Sequence, residues 1–281
     1  MDHIAAAQPR IVGLFLVTVV AAMLLAGAPS LALILGVAAA TALTVGGAAM
    51  LNNYLERDVD ARMERTRRRP IAAGRIPARR ALAIGLALVA AGGLALWAMA
   101  GGLAAAFALL GAAYYVVVYT MLLKPRTPLS SIPGALAGVF PALIGWAATG
   151  AAWSGSILFL CALVFLWSPP HFWALALARE DDYVSSGIPT PAVAYGERAC
   201  RRLIAGFVAA VTVLTLIPAA SGAFGGVYLA AALAGGAALW FFTARLLTRR
   251  DGRAAWALFK VTGPYLAIVV AAAVIGHLLE S

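Results

Sequence analysis

Residues 79–126 read RRALAIGLALVAAGGLALWAMAGGLAAAFALLGAAYYVVVYTMLLKPR, and no charge interrupts the run between Arg80 and Lys124. One bilayer crossing takes ~20 apolar residues, so this stretch is too long for one span and about right for two. A turn signal at Gly101-Gly102 divides it. The same arrangement recurs along the chain. All 21 lysines and arginines fall at Arg10, from Arg57 to Arg80, at Lys124 and Arg126, from Arg179 to Arg202, and from Arg245 to Lys260. Of 281 residues, 63% are hydrophobic and 11% charged, with a mean hydropathy of +0.93. A soluble domain holds ~45–50% apolar residues, so this is a multi-span membrane protein.

The apolar runs predict helices near 10–28, 31–53, 81–99, 102–123, 131–149, 154–178, 203–221, 224–247 and 257–279. The fold expected is all-α: about nine transmembrane helices in one bundle with a central apolar cavity, forming a single domain over 1–281. Many alanines and 28 glycines allow close helix approach in lipid. The connections after helices 2, 4, 6 and 8 hold 20 of the 21 basic residues, and the others are short and uncharged. The positive-inside rule then places the charged connections and the N-terminus in the cytoplasm and the C-terminus outside. The expected location is the cell inner (cytoplasmic) membrane. A formal charge of +10 is thereby read as a topology signal facing anionic lipid, with no nucleic acid as partner. No removable leader is expected, because Ala26-Gly27-Ala28 is followed by Pro29. Cys161 lies within a span and Cys200 on the cytoplasmic side, so no disulfide is expected between them.

Most of the 11 acidic residues fall in two clusters on the charged side. The first follows helix 2, in Asn52-Asn53-Tyr54-Leu55-Glu56-Arg57-Asp58-Val59-Asp60. Asn52, Glu56 and Asp60 recur every four residues, which stacks them on one helix face. Carboxylate and amide oxygens so placed suit Mg²⁺ together with phosphate oxygens and water. Asp58 ranks lower, on the opposite side. Arginines from Arg62 to Arg69 follow, and their planar forks match phosphate. A salt-bridged loop carrying the topology signal is the competing reading. The second cluster is Arg179-Glu180-Asp181-Asp182-Tyr183, after helix 6. Taken alone it reads equally as a solvated helix end. Two such clusters on one membrane face can each hold a cation and clamp a diphosphate. Lys124 and Arg126 lie on the same face as candidate diphosphate contacts.

Helix 6 contains Trp167-Ser168-Pro169-Pro170-His171-Phe172-Trp173. Two prolines remove backbone donors and are expected to break the ladder, which lipid tolerates only beside protein or a cavity. His171 is either a satisfied structural group or an intramembrane functional one: an axial haem ligand or a proton acceptor. Helix 5, with Pro133, Gly134, Gly138, Pro141 and Gly145, is an unusually breakable span that can open room for a bulky apolar substrate.

These motifs resemble those of the intramembrane aromatic prenyltransferases, and among them the haem O synthases (protoheme IX farnesyltransferases). The resemblance rests on residues 52–66, Arg69-Pro70, Gln8-Pro9-Arg10, residues 123–128, Gly145-Trp146, residues 169–176, Asp182-Tyr183 and Gly187-Ile188-Pro189. It covers nearly the whole chain. The Pro-Pro-His-Phe-Trp stretch separates haem O synthases from quinone-pathway relatives. Departures are Glu56 for a usual aspartate, Ser168 for glutamine, Ser130 for asparagine, and Thr190-Pro191 for methionine-leucine.

The resemblance implies a magnesium-dependent membrane transferase that moves farnesyl from farnesyl diphosphate to a vinyl group of haem B, giving haem O and diphosphate. Asn52, Glu56 and Asp60 would hold one Mg²⁺, and Asp181 and Asp182 a second. Arg67, Lys124 and Arg126 would bind the diphosphate, and His171 the haem. The implied consumers of the product are a haem A synthase or cytochrome oxidase assembly factors. A sibling prenyltransferase with a quinone precursor or other aromatic acceptor shares both acidic motifs but not the Pro-Pro-His stretch. A polytopic transporter would place its charges nearer the midplane. A purely structural subunit leaves both acidic clusters unexplained.

Overall fold

The structure, a computed structural model, describes residues 2–249 and 251–280. Among them nine helices have the length and apolarity to cross a membrane: α1 Pro9–Ala26, α2 Leu31–Leu55, α3 Ala78–Ala100, α4 Gly102–Leu123, α5 Ser131–Thr149, α6 Gly155–Ala178, α7 Glu197–Ser221, α8 Gly225–Thr248 and α9 Gly252–Glu280. The all-α, multi-span reading holds. α7 and α9 begin six and five residues before the apolar windows do, because the helices extend into their charged flanks. Asp251 caps the start of α9 by accepting from the Ala254 N–H at 2.9 Å. Ser30 and Ser154 cap α2 and α6 in the same way.

Each helix packs on its sequence neighbours, and α1 also meets α5 and α9, so the bundle closes on itself. Small residues bring α2 and α3 close along their length. A Cβ added at Gly47 would lie 2.7 Å from the Gly85 carbonyl oxygen, and one at Gly92 would lie 2.6 Å from that of Ala40. In lipid such backbone proximity, rather than hydrophobic exclusion, holds helices together. The large apolar side chains that remain exposed, such as Leu94 and Trp97 on α3 and Val213 and Ile217 on α7, face outward.

Three helices depart from regularity. α6 runs unbroken through Pro169 and Pro170, contrary to the expected break. The prolines delete two ladder bonds without ending the helix, and Ser168 Oγ donates to the Val164 carbonyl at 2.8 Å in the turn before them. α5 is interrupted at Ala135 and carries Pro141 internally, as its sequence suggests. The second half of α4, Tyr114–Leu123, is a π-helix, in which Lys124 N–H reaches back five residues to Tyr119 at 2.8 Å. Runs of this kind gather at functional sites.

Candidate active site

A cavity of about 430 Å³ opens inside the bundle, walled by α1, α2, α4, α5, α6 and α9. Its lining is mostly apolar, with one polar group formed by Asn52, Glu56, Asp60, Arg65, Arg69 and Lys124.

The first acidic motif is built by a near-continuous helix. α2 ends at Leu55 and a short helix, Arg57–Asp60, follows at once. Glu56 N–H bonds to the Asn52 carbonyl at 2.9 Å and Asp60 N–H to that of Glu56 at 2.7 Å. The i→i−4 ladder therefore passes through the junction, and the three side chains share the cavity wall. Each has a partner from another segment. Asn52 Nδ2 donates to Thr120 Oγ1 at 3.0 Å, which leaves the amide oxygen uncommitted. Glu56 pairs with Lys124. Arg69 Nη1 donates to both Asp60 oxygens, at 2.8 and 3.1 Å, and to Asn53 Oδ1 at 3.1 Å. Asn53 is itself fixed by Gln8, at 2.8 Å, and by the Ala6 carbonyl, so the N-terminal segment braces the motif.

Burial is the largest single influence on both charged groups, with opposite outcomes. It pushes the Asp60 carboxyl above the usual carboxylate range, against the opposing pull of Arg69. Burial also works against the Lys124 ammonium, yet Glu56 beside it leaves that pKa raised.

The second motif sits differently. Asp182 accepts from the backbone N–H groups of Glu64, at 2.8 Å, and Arg65, at 3.3 Å, and so ties the α6–α7 connection to the α2–α3 connection. Asp181 is exposed, and neither aspartate lines the cavity. Arg67 pairs with Glu64 at 2.7 Å, and Arg126 folds back onto the carbonyls of Met121 and Leu122. These two arginines are also outside the cavity lining. Asp58 points outward, 81% exposed, beside Arg57. In their place stand Arg65 and Arg69, to which sequence reasoning gave no site role, and Tyr115 and Tyr119 from the π-helix.

His171 lines the same cavity, seven residues before the end of α6, about 10 Å along the helix. Its ring stacks on Trp167, with centroids 4.4 Å apart, and packs against Phe259 at 4.6 Å. Its Nδ1 lies 2.6 Å from Thr262 Oγ1 on α9.

Among the described residues no three His, Cys, Asp or Glu side chains are grouped to hold a metal. Mg²⁺ does not need such a cage, since it typically takes one or two carboxylates and completes its shell with phosphate and water. The Asn52 oxygen and the Glu56 and Asp60 carboxylates are hard donors on one wall. They fit an ion that arrives with a phosphate ligand, once Lys124 and Arg69 turn toward that phosphate.

Residues 15–273 match the UbiA prenyltransferase family. The chain belongs to that family. It is 40% identical over 275 residues to a protoheme IX farnesyltransferase of Roseiflexus sp. (strain RS-1), covering 96% of this chain and 51% of that one. The chain thus spans about half the length of that relative and of other curated relatives it matches. A protoheme IX farnesyltransferase of Marinobacter nauticus is 36% identical over 278 residues, with 98% and 92% covered. Among solved structures, a UbiA homolog from Archaeoglobus fulgidus bound to GPP and Mg²⁺ superposes with a TM-score of 0.68. It is 17% identical, with 98% of this chain and 99% of that one covered, and shares the fold.

Proposed function

We propose that this prenyltransferase moves farnesyl from farnesyl diphosphate to a vinyl group of haem B, forming haem O. One observation carries the reading: a single cavity is lined both by the Asn52–Glu56–Asp60 face with Lys124 and Arg69, and by His171. Relatives that share more than a third of the sequence bear the name protoheme IX farnesyltransferase, which supports the same acceptor.

In this reading the diphosphate lies against Lys124, Arg65 and Arg69, whose charges offset the negative charge that grows as the allylic C–O bond breaks. Asn52, Glu56 and Asp60 would hold Mg²⁺, which supplies further charge neutralisation at the leaving group. Asp182 fixes the backbone that carries Arg65, and Asp181 beside it stays available for a second ion. Arg67 and Arg126 serve the outer rim. Tyr115, Tyr119 and Phe172 give the allylic cation aromatic faces and keep water from it. The vinyl group forms the new C–C bond, diphosphate leaves, and water then adds the hydroxyl and releases a proton.

The positive-inside bias of the basic connections supports a site on the cytoplasmic side of the inner membrane, with the N-terminus inside and the C-terminus outside. The stretch 1–281 acts as one prenyltransferase domain, and its product passes to a haem A synthase or to cytochrome oxidase assembly.

The direct test is to incubate purified protein with haem B, farnesyl diphosphate and Mg²⁺, with and without chelator, and weigh the porphyrins by mass spectrometry. A chelator-sensitive gain of farnesyl plus hydroxyl is expected. Farnesyl on a quinone precursor, with haem unchanged, would assign the chain to a sibling activity instead.

A further inference from the structure

Taking haem B as the acceptor proposed above, the geometry points to Thr262 as a positioning residue that presents His171 to the haem iron through Nε2. Thr262 is 1% exposed, and its hydroxyl donates to the Phe259 carbonyl at 2.7 Å. That contact commits its only proton. Toward His171 Nδ1, 2.6 Å away, Thr262 Oγ1 can then only accept, so the ring carries its proton on Nδ1. The lone pair is left on Nε2. That atom has no hydrogen-bond partner among the described residues, and it is not sealed off by protein, because His171 faces the cavity.

The ring's orientation is fixed as firmly as its tautomer. Trp167 stacks on one face while its Nε1 donates to the Thr262 backbone carbonyl at 2.7 Å. Phe259 packs against the same ring, tilted by 30° with centroids 4.6 Å apart. Thr262 thus receives bonds from both aromatic neighbours in the Trp167–His171 turn, and α6 is locked to α9 at this level. A neutral imidazole with one nitrogen held by an acceptor and the other bare is the form that ligates iron, and the held N–H strengthens the ligand. A histidine that merely filled the core would have no reason to keep Nε2 bare on the wall of a mostly apolar cavity.

The test uses the full chain in detergent, with variants Thr262→Val, Thr262→Ser and His171→Ala. The chain has only three histidines, so ¹⁵N-histidine labelling resolves the His171 ring. The wild type should show a neutral ring protonated on Nδ1. Thr262→Val, nearly isosteric, should admit the Nε2–H form, and Thr262→Ser should restore the original. A wild-type ring protonated on Nε2, or unchanged by Thr262→Val, overturns the assignment. Titration with ferric haem, followed by absorbance and EPR, should show a histidine-ligated species. That species should be lost in His171→Ala and its affinity lowered about 10-fold or more in Thr262→Val, the usual loss for an outer partner of a metal-bound histidine. Haem that binds and is farnesylated with an identical spectrum in His171→Ala overturns iron ligation while leaving the haem reading intact. An Nδ1-protonated ring in a protein that takes no haem but prenylates a quinone precursor overturns both.

Discussion

The Lys124 ammonium meets the Glu56 carboxylate across 68 positions of sequence, with the two side chains 15% and 11% exposed. The pair joins the end of the π-helix to the acidic motif, so the residue read as a diphosphate contact is also the counter-charge of a metal-ligand candidate. Both roles use one side chain in sequence, with the phosphate arriving as the new partner.

Lys124→Met should therefore harm the protein twice. Glu56 is left enclosed without its partner, and removing one member of a buried pair typically costs about 3 kcal/mol, somewhat less here because both side chains keep partial exposure. Prenyl transfer should fall by about 100-fold, the scale seen when one leaving-charge donor is lost. The double variant Lys124→Met/Glu56→Gln should recover thermal stability in detergent but not turnover.

Arg69→Ala should destabilise by a similar amount, about 3 kcal/mol, because Asp60 is 3% exposed and loses the Nη1 donor that touches both its oxygens. Arg69→Lys keeps the charge, but its shorter side chain stops short of the Nη1 position between Asp60 and Asn53, and it should recover only part of the loss. Thermal unfolding of the purified variants measures this directly.

Asp182→Ala should loosen the α2–α3 connection, which it holds by the Glu64 and Arg65 N–H groups. Losing charge-assisted bonds worth about 1.5 kcal/mol corresponds to roughly 10-fold more frequent opening. Trypsin should then cut at Arg62–Arg69 about that much faster. Asp181→Ala should leave the cleavage rate unchanged.

Gly92→Leu should separate α2 from α3, since even a Cβ meets the Ala40 carbonyl at 2.6 Å. Overpacking of this kind costs about 1–3 kcal/mol. Gly226→Leu, where a Cβ meets nothing, should be tolerated in the same melting experiment.

The spans were legible because each is a long uncharged run bounded by arginine or by a glycine turn. Their ends were less so: Arg198, Arg201 and Arg202 look like a loop in sequence, yet they ride on the first turns of α7. There Arg201 is buried, its charge met by Glu197 at 2.7 Å and by the carbonyls of Leu246 and Arg249. The four-residue spacing of Asn52, Glu56 and Asp60 was readable because helical geometry alone puts them on one wall. Which arginines join them was not. From Arg62 to Arg69 every arginine serves equally as topology signal, and only the loop's path decides that Arg65 and Arg69 turn in while Arg67 turns out. The π-helix was equally hidden, because Tyr114–Leu123 has the composition of any apolar helix. Thr262 could not be found without knowing that α9 returns beside α6.

That π-helix also sets the phase of everything after it. An α-helix advances about 100° per residue, so rewinding Tyr114–Leu123 as ordinary α-helix, with no wide turn left to absorb a surplus residue, would turn Lys124 by roughly a quarter of a revolution. Like a screw stopped one flat early, α4 would still seat in the membrane with its length nearly unchanged. Its lysine would then miss Glu56, and a chain of normal hydropathy would carry a misaligned site.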